Sequence, residues 1–175
     1  MPDTYDTAPA ASEHAPYYGR YISRVPSGDI ITTLERQGEE TSRLLNGLSP
    51  EQTDFRYAPG KWSIKEVIGH LTDAERIFSY RALRFARGDD TPLAGFDEND
   101  YSPAGEFGGR SLEDLVADLR ATRASTVALL RGLPATAMTR GGEASGARVT
   151  VRALAWITAG HELHHVTILR ERYLT

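Results

Sequence analysis

Residues 150–173 read TVRALAWITAGHELHHVTILRERY, and the reading of this stretch decides the fold. Val151, Leu154, Thr158, His161, His165, Ile168 and Leu169 recur every three or four residues, as on one face of an α-helix. A helix turns about 100° per residue, so His161 and His165 differ by about 40° and both lie on the apolar stripe. His164 falls to the flank, and Glu162 is turned about 100° from His161. Burying an imidazole without a partner costs free energy. A lone buried histidine is ordinarily satisfied by a hydrogen bond within the core. Two at i and i+4 can instead converge on one metal ion.

His161-Glu162-Leu163-His164-His165 also satisfies H-E-x-x-H, the helix signature of zinc proteases. That reading needs a third ligand beyond the motif. The only acid after His165 is Glu171, six residues on along the same helix. No clear edge strand offers itself to a peptide substrate, so the pattern points away from a protease. A third ligand from a neighbouring helix fits better. His70, in VIGHLTDAER, is the one other histidine inside a predicted helix, at the edge of its apolar stripe. With His161 and His165 it makes a three-nitrogen set that leaves coordination positions open, as catalytic metal sites require. Asp73, three residues on, reads either as a further ligand, a partner holding a ring in place, or a solvated acid.

Three more amphipathic stretches accompany the first. One runs from Asp29 to Asn46, with Ile30, Leu34, Leu44 and Leu45 on its apolar side and a weakly apolar middle, TTLERQGEET. Ser49 and Pro50 then suit a short helical turn. The second opens on Ser63 with Glu66 three residues later, a capping box. It carries Ile64, Val67, Ile68, Leu71, Phe78, Ala82 and Phe85 to a stop at Gly88. The third runs from Ser111 through Leu112, Leu115, Leu119, Val127 and Leu130 to Gly132. Between the last two lies DDTPLAGFDENDYSPAGEFGG, a connection long enough to suggest a function of its own. Asp97, Glu98, Asn99 and Tyr101 in it are candidate substrate contacts over an open metal site. ARVTVRAL, from Ala147, is compatible with a short strand leading into the last helix, and no sustained alternation marks a sheet. The expected architecture is all-α, a four-helix bundle over residues 26–175 with a long loop between helices 2 and 3. Residues 1–25, rich in Pro, Ala and Ser, are expected as a flexible N-terminal extension. His14 within it is expected to be exposed to solvent.

The 175 residues suffice for one core. The formal net charge is −4 and the cations are scattered, which argues against a nucleic-acid partner. The chain has no cysteine, which excludes disulfides, thiolate ligands and a cysteine nucleophile. No run approaches the ~18 apolar residues of a membrane span. The N-terminus lacks the basic start and apolar run of a signal peptide, so a cytoplasmic protein is expected.

PGKWSIKEVIGHLTDAERIFSYRALRFARGDDTPLAGFDENDY and RALAWITAGHELHHVTILRERYL together resemble the DinB-like superfamily, over roughly residues 25 to 174. The resemblance implies a four-helix bundle with an up-down-down-up path, in which the long loop after Gly88 serves as a crossover. It also implies a metal triad of one histidine in the second helix and two, four apart, in the fourth. Those positions match His70, His161 and His165, with His164 a neighbour. The metal in such proteins is zinc, nickel or iron, and homodimers are common. Some relatives are transferases or isomerases using a low-molecular-weight thiol such as mycothiol or bacillithiol; many are labelled metal-dependent hydrolases. The function expected on these grounds is a metal-dependent enzyme acting on a small molecule, the ion activating water or an external thiol. Glu162 is then a candidate base. The competing expectation is a non-catalytic metal-binding or stress-response module, which a site closed by a fourth protein ligand such as Asp73 or Glu162 would favour.

Overall fold

The computed structural model describes residues 5–175. Its α-helices are α1 (Gly19–Ile22), α2 (Ile30–Leu45), α3 (Pro50–Asp54), α4 (Ile64–Ala86), α5 (Glu98–Ala104), α6 (Leu112–Arg131) and α7 (Val151–Arg172). The four long ones form the bundle, and they begin where the capping chemistry predicts. Ser63 Oγ accepts from the Glu66 N–H while the Glu66 carboxylate accepts from the Ser63 N–H. Ser111 and Thr150 cap α6 and α7, and Asp29 caps α2.

Two apolar clusters give the direction of each helix. One gathers Leu45 of α2, Ile64 to Leu71 of α4, Leu115 and Leu119 of α6 and Leu169 of α7. The other gathers Ile30 and Leu34 of α2, Phe78 to Phe85 of α4, Val127 and Leu130 of α6 and Val151 to Ile157 of α7. Helices α2 and α7 therefore run from the second cluster to the first, and α4 and α6 run back: up, down, down, up. Each of α2 and α7 packs on a neighbour of the opposite direction, and α4 lies between α6 and α7. Because α4 and α6 are parallel, the chain must return the length of the bundle between them, which residues 87–111 do.

That crossover is held along its course. Leu93 exchanges backbone hydrogen bonds with Glu143 and Ser145, and Arg81 donates to the Ala94 carbonyl at 2.8 Å. Phe107 covers Gly69 so closely that a β-carbon there would stand 2.4 Å from ring atoms. The strand-compatible stretch is half of a small hairpin, β1 (Gly141–Ala144) with β2 (Ala147–Thr150), closed by Ser145 and Gly146 at positive φ.

The N-terminal stretch expected to be flexible is instead packed on the bundle from Tyr5 onward. The Tyr5 hydroxyl donates to the Leu130 and Leu133 carbonyls. Glu13 accepts from Thr150 Oγ1 and pairs with Arg152. Tyr21, Ile22 and Val25 are buried. The physical reason is composition: YYGRYI supplies aromatic and apolar surface that gains by leaving water. Helix α1 docks across α7 at Gly160, where a β-carbon would lie 2.1 Å from the Tyr21 carbonyl oxygen. No helix among the described residues is long and apolar enough to cross a membrane.

Candidate metal centre

Between the two apolar clusters the bundle carries a polar layer. Arg123 of α6 forms a two-pronged pair with Glu75 of α4, both contacts at 2.8 Å, and reaches Glu162 of α7 at 2.8 Å. Its remaining nitrogen donates to the Leu34 carbonyl of α2, and Thr41 donates to Glu162 at 2.6 Å. Glu75 and Glu162 are 3% and 2% exposed. The two carboxylates around it hold the Arg123 guanidinium in its charged form, raising its pKa against the cost of burial. Gly38 makes room for the Arg123 stem. The weakly apolar middle of α2 is thus the wall against which this arginine lies.

Beside this layer, α4 and α7 face each other antiparallel and bring the histidines together. His70 Nε2 lies 3.0 Å from His161 Nε2, and His165 Nε2 lies 3.2 Å from it. Three nitrogens each about 2.0–2.1 Å from one tetrahedral ion would stand about 3.3 Å apart. The donor set therefore fits a divalent ion of the zinc type, and three imidazoles equally suit nickel or iron. Aromatic neighbours pack against the rings: Trp62 tilted against His70, Tyr21 and Phe78 edge-to-face with His161.

Burial keeps these rings neutral, the form that can bind metal. Desolvation lowers His70 to about 4 and, with the nearby His70, His164 and Arg20 adding, His165 to about 3. His161 is pushed well below the ordinary range by burial and then by the other histidines. In the unfolded chain such rings titrate near 6.5. Above that pH they are neutral in both states. As pH falls below 6.5 the unfolded chain takes up protons that the metal-free fold refuses, so stability drops from there toward pH 4. Protein stripped with a chelator should therefore show a much lower urea midpoint at pH 5 than at pH 7.5; equal midpoints would contradict this picture of the site.

The histidines form the floor of an open cavity of about 240 Å³, walled by Tyr17, Tyr18, Arg20, Tyr21, Trp62, Ala74, Phe78, Phe96 and Glu98. His164 is on the flank, its ring against Tyr21 and His165. Asp73 stands outside the histidine cluster and pairs with Arg76 at 3.6 Å. Glu162 is not on the cavity wall; Arg123 and Thr41 engage both of its oxygens inside the core. Of the crossover residues expected over the site, Glu98 lines the cavity. Asp97 caps α5, Asn99 lines a neighbouring groove and Tyr101 packs on Phe96. His14 is half-buried, with Nδ1 against the Ala15 carbonyl, away from the cavity. The sequence reading missed the N-terminal wall, though the aromatic cluster Tyr17, Tyr18, Tyr21 in a Pro- and Ala-rich stretch was its signal. It also missed Glu75 and Arg123, charged residues at core positions of helical stripes.

The family model for the DinB superfamily matches residues 33–169. "Putative metal-dependent hydrolase OB0782" of Oceanobacillus iheyensis is 28% identical over 155 residues, covering 82% of this chain and 87% of that protein. "Putative metal-dependent hydrolase YfiT" of Bacillus subtilis is 23% identical over 153 residues, covering 86% and 85%. A solved structure of YfiT, described as a probable metal-dependent hydrolase with an unusual four-helix bundle topology, superposes with a TM-score of 0.74. It is 20% identical and covers 95% of this chain and 91% of that one.

Proposed function

The chain belongs to the DinB superfamily, and we propose that it is a metal-dependent hydrolase of a small molecule, with one divalent ion held by His70, His161 and His165. The observation that carries this reading is the convergence of three neutral imidazole nitrogens at the floor of an open cavity. Neither Asp73 nor Glu162 closes the set, so the arrangement is that of a site with room for water and substrate rather than of a sealed structural one. The names of the relatives support the reaction class.

When bound, the ion supplies Lewis acidity, which makes a coordinated water acidic near neutral pH and polarises a carbonyl. The chain supplies the rest. Trp62, Tyr21 and Phe78 fix the ring orientations of the histidines. The crossover contributes Phe96 and Glu98 to the cavity wall. Among the described residues Glu98 is the single carboxylate on the wall, and no ion pair or side-chain hydrogen bond from them occupies it. Glu98 is the candidate to take up a proton from water in the cavity, the role that the buried Glu162 cannot fill.

The test is turnover of small esters and amides by zinc-, nickel- and iron-loaded protein, with and without an added low-molecular-weight thiol. Hydrolysis that needs metal and disappears in His165→Ala is expected. A loaded wild type that turns over none of them, thiol present or absent, would favour the non-catalytic binding module. Turnover only with the thiol would make it the nucleophile in place of water.

A further inference from the structure

One cation on the cavity wall has no carboxylate partner among the described residues. Arg20 of α1 donates from Nη2 to the Tyr21 hydroxyl at 2.9 Å and to the Tyr17 hydroxyl. Its guanidinium lies over the Tyr17 ring at 3.9 Å and the Tyr21 ring at 4.8 Å. These phenols orient the group without neutralising it. Arg76, Arg110 and Arg123, by contrast, each rest on a carboxylate. Nε and Nη1 of Arg20 carry no partner among the described residues, leaving part of the planar fork that matches a carboxylate free.

The position of Arg20 is also telling. It lines the same cavity as His161, His164 and His165. A divalent ion on the histidines would add more positive charge to the same space. Glu98 is the only acid on the wall among the described residues. The cavity is then net positive in a chain whose formal charge is −4, and such a local field concentrates anions. The remaining wall is largely aromatic, with Tyr18, Trp62, Phe78 and Phe96 around the histidines.

We propose that this cavity selects small molecules carrying a carboxylate on an aromatic or apolar body, with the carboxylate on Arg20 and the body against Tyr18, Phe78 and Phe96. The proposal names the substrate class of the hydrolase site and rests on that reading. Arg20 is a specificity residue here: it fixes which end of the ligand points toward the histidines. The N-terminal segment, by packing across Gly160, becomes part of the binding site rather than an appendage.

Phenylacetate and phenylacetamide have the same body and differ in charge, so they isolate the role of Arg20. Each would be titrated by NMR into metal-free and zinc-loaded protein, as wild type, Arg20→Gln and Arg20→Lys. Unchanged near-UV circular dichroism and an unchanged urea midpoint at pH 7.5 would verify that the variants keep the fold. Metal-free wild type should prefer the carboxylate by about tenfold, a charge-assisted hydrogen bond's worth. Arg20→Gln should lose that preference and Arg20→Lys keep part of it. No preference in metal-free wild type, or one unchanged in Arg20→Gln, would overturn the proposal. Zinc affinity of the wild type, titrated separately, distinguishes the two failures: a protein that binds zinc but shows no Arg20-dependent selectivity sinks only the substrate class, whereas a protein that selects the carboxylate but has no affinity for zinc sinks the hydrolase.

Discussion

Replacing Arg123 with methionine is expected to lower the unfolding free energy by about 3–5 kcal/mol, among the larger effects a single substitution can have here. Methionine keeps most of the stem volume but leaves the Glu75 and Glu162 carboxylates, both buried, with no positive charge between them. It also removes the donor to the Leu34 carbonyl. The cost is that of stranded charge rather than lost attraction, since a buried pair roughly offsets its own desolvation. The triple variant Arg123→Met, Glu75→Gln, Glu162→Gln should therefore recover a substantial part of the loss. Urea unfolding at pH 7.5 measures both. A loss below about 1 kcal/mol for the single variant would mean that water reaches the layer and screens it.

The polar layer also shows where a sequence stops being informative. Helix bounds were legible because caps and stripes are local: Ser63 with Glu66 lie three residues apart, and the α4 stripe follows its own period. The histidine cluster was legible because His161 and His165 share one helix face and His70 is the one other histidine within a predicted helix; the fold brings the three together. Arg123, however, meets Glu75 and Glu162 across 48 and 39 residues. Nothing local indicates that two charges on separate apolar stripes will be paired. Glu162 looked available as a base because its own helix turns it off the histidine face; its partners come from α6 and α2. The hairpin escaped because its strands are four residues each, too short for alternation to register. The N-terminal segment escaped because its Ala- and Pro-rich composition resembles a tail, while its docking depends on Gly160, a residue remote in sequence.

The second large effect concerns the metal. An ion that binds only the folded chain adds stability as RT ln(1 + [L]/Kd), about 4 kcal/mol at a thousandfold excess over Kd. Wild-type protein should gain on this scale from zinc. His161→Ala should gain almost nothing, because His161 is the ring adjacent to both other ligands, at 3.0 and 3.2 Å. Alanine suits a helix interior, so the variant should fold and the comparison should remain valid. A zinc-dependent gain equal in both proteins would place the ion elsewhere.

The most direct measurement is metal content by mass spectrometry on untagged wild type and His161→Ala, each purified and then incubated with zinc, nickel or iron salts. About one equivalent in the wild type and almost none in the variant is the predicted result. Wild-type protein that holds none of the three metals, or a variant that holds as much as the wild type, would contradict the assignment of His70, His161 and His165 as a metal centre.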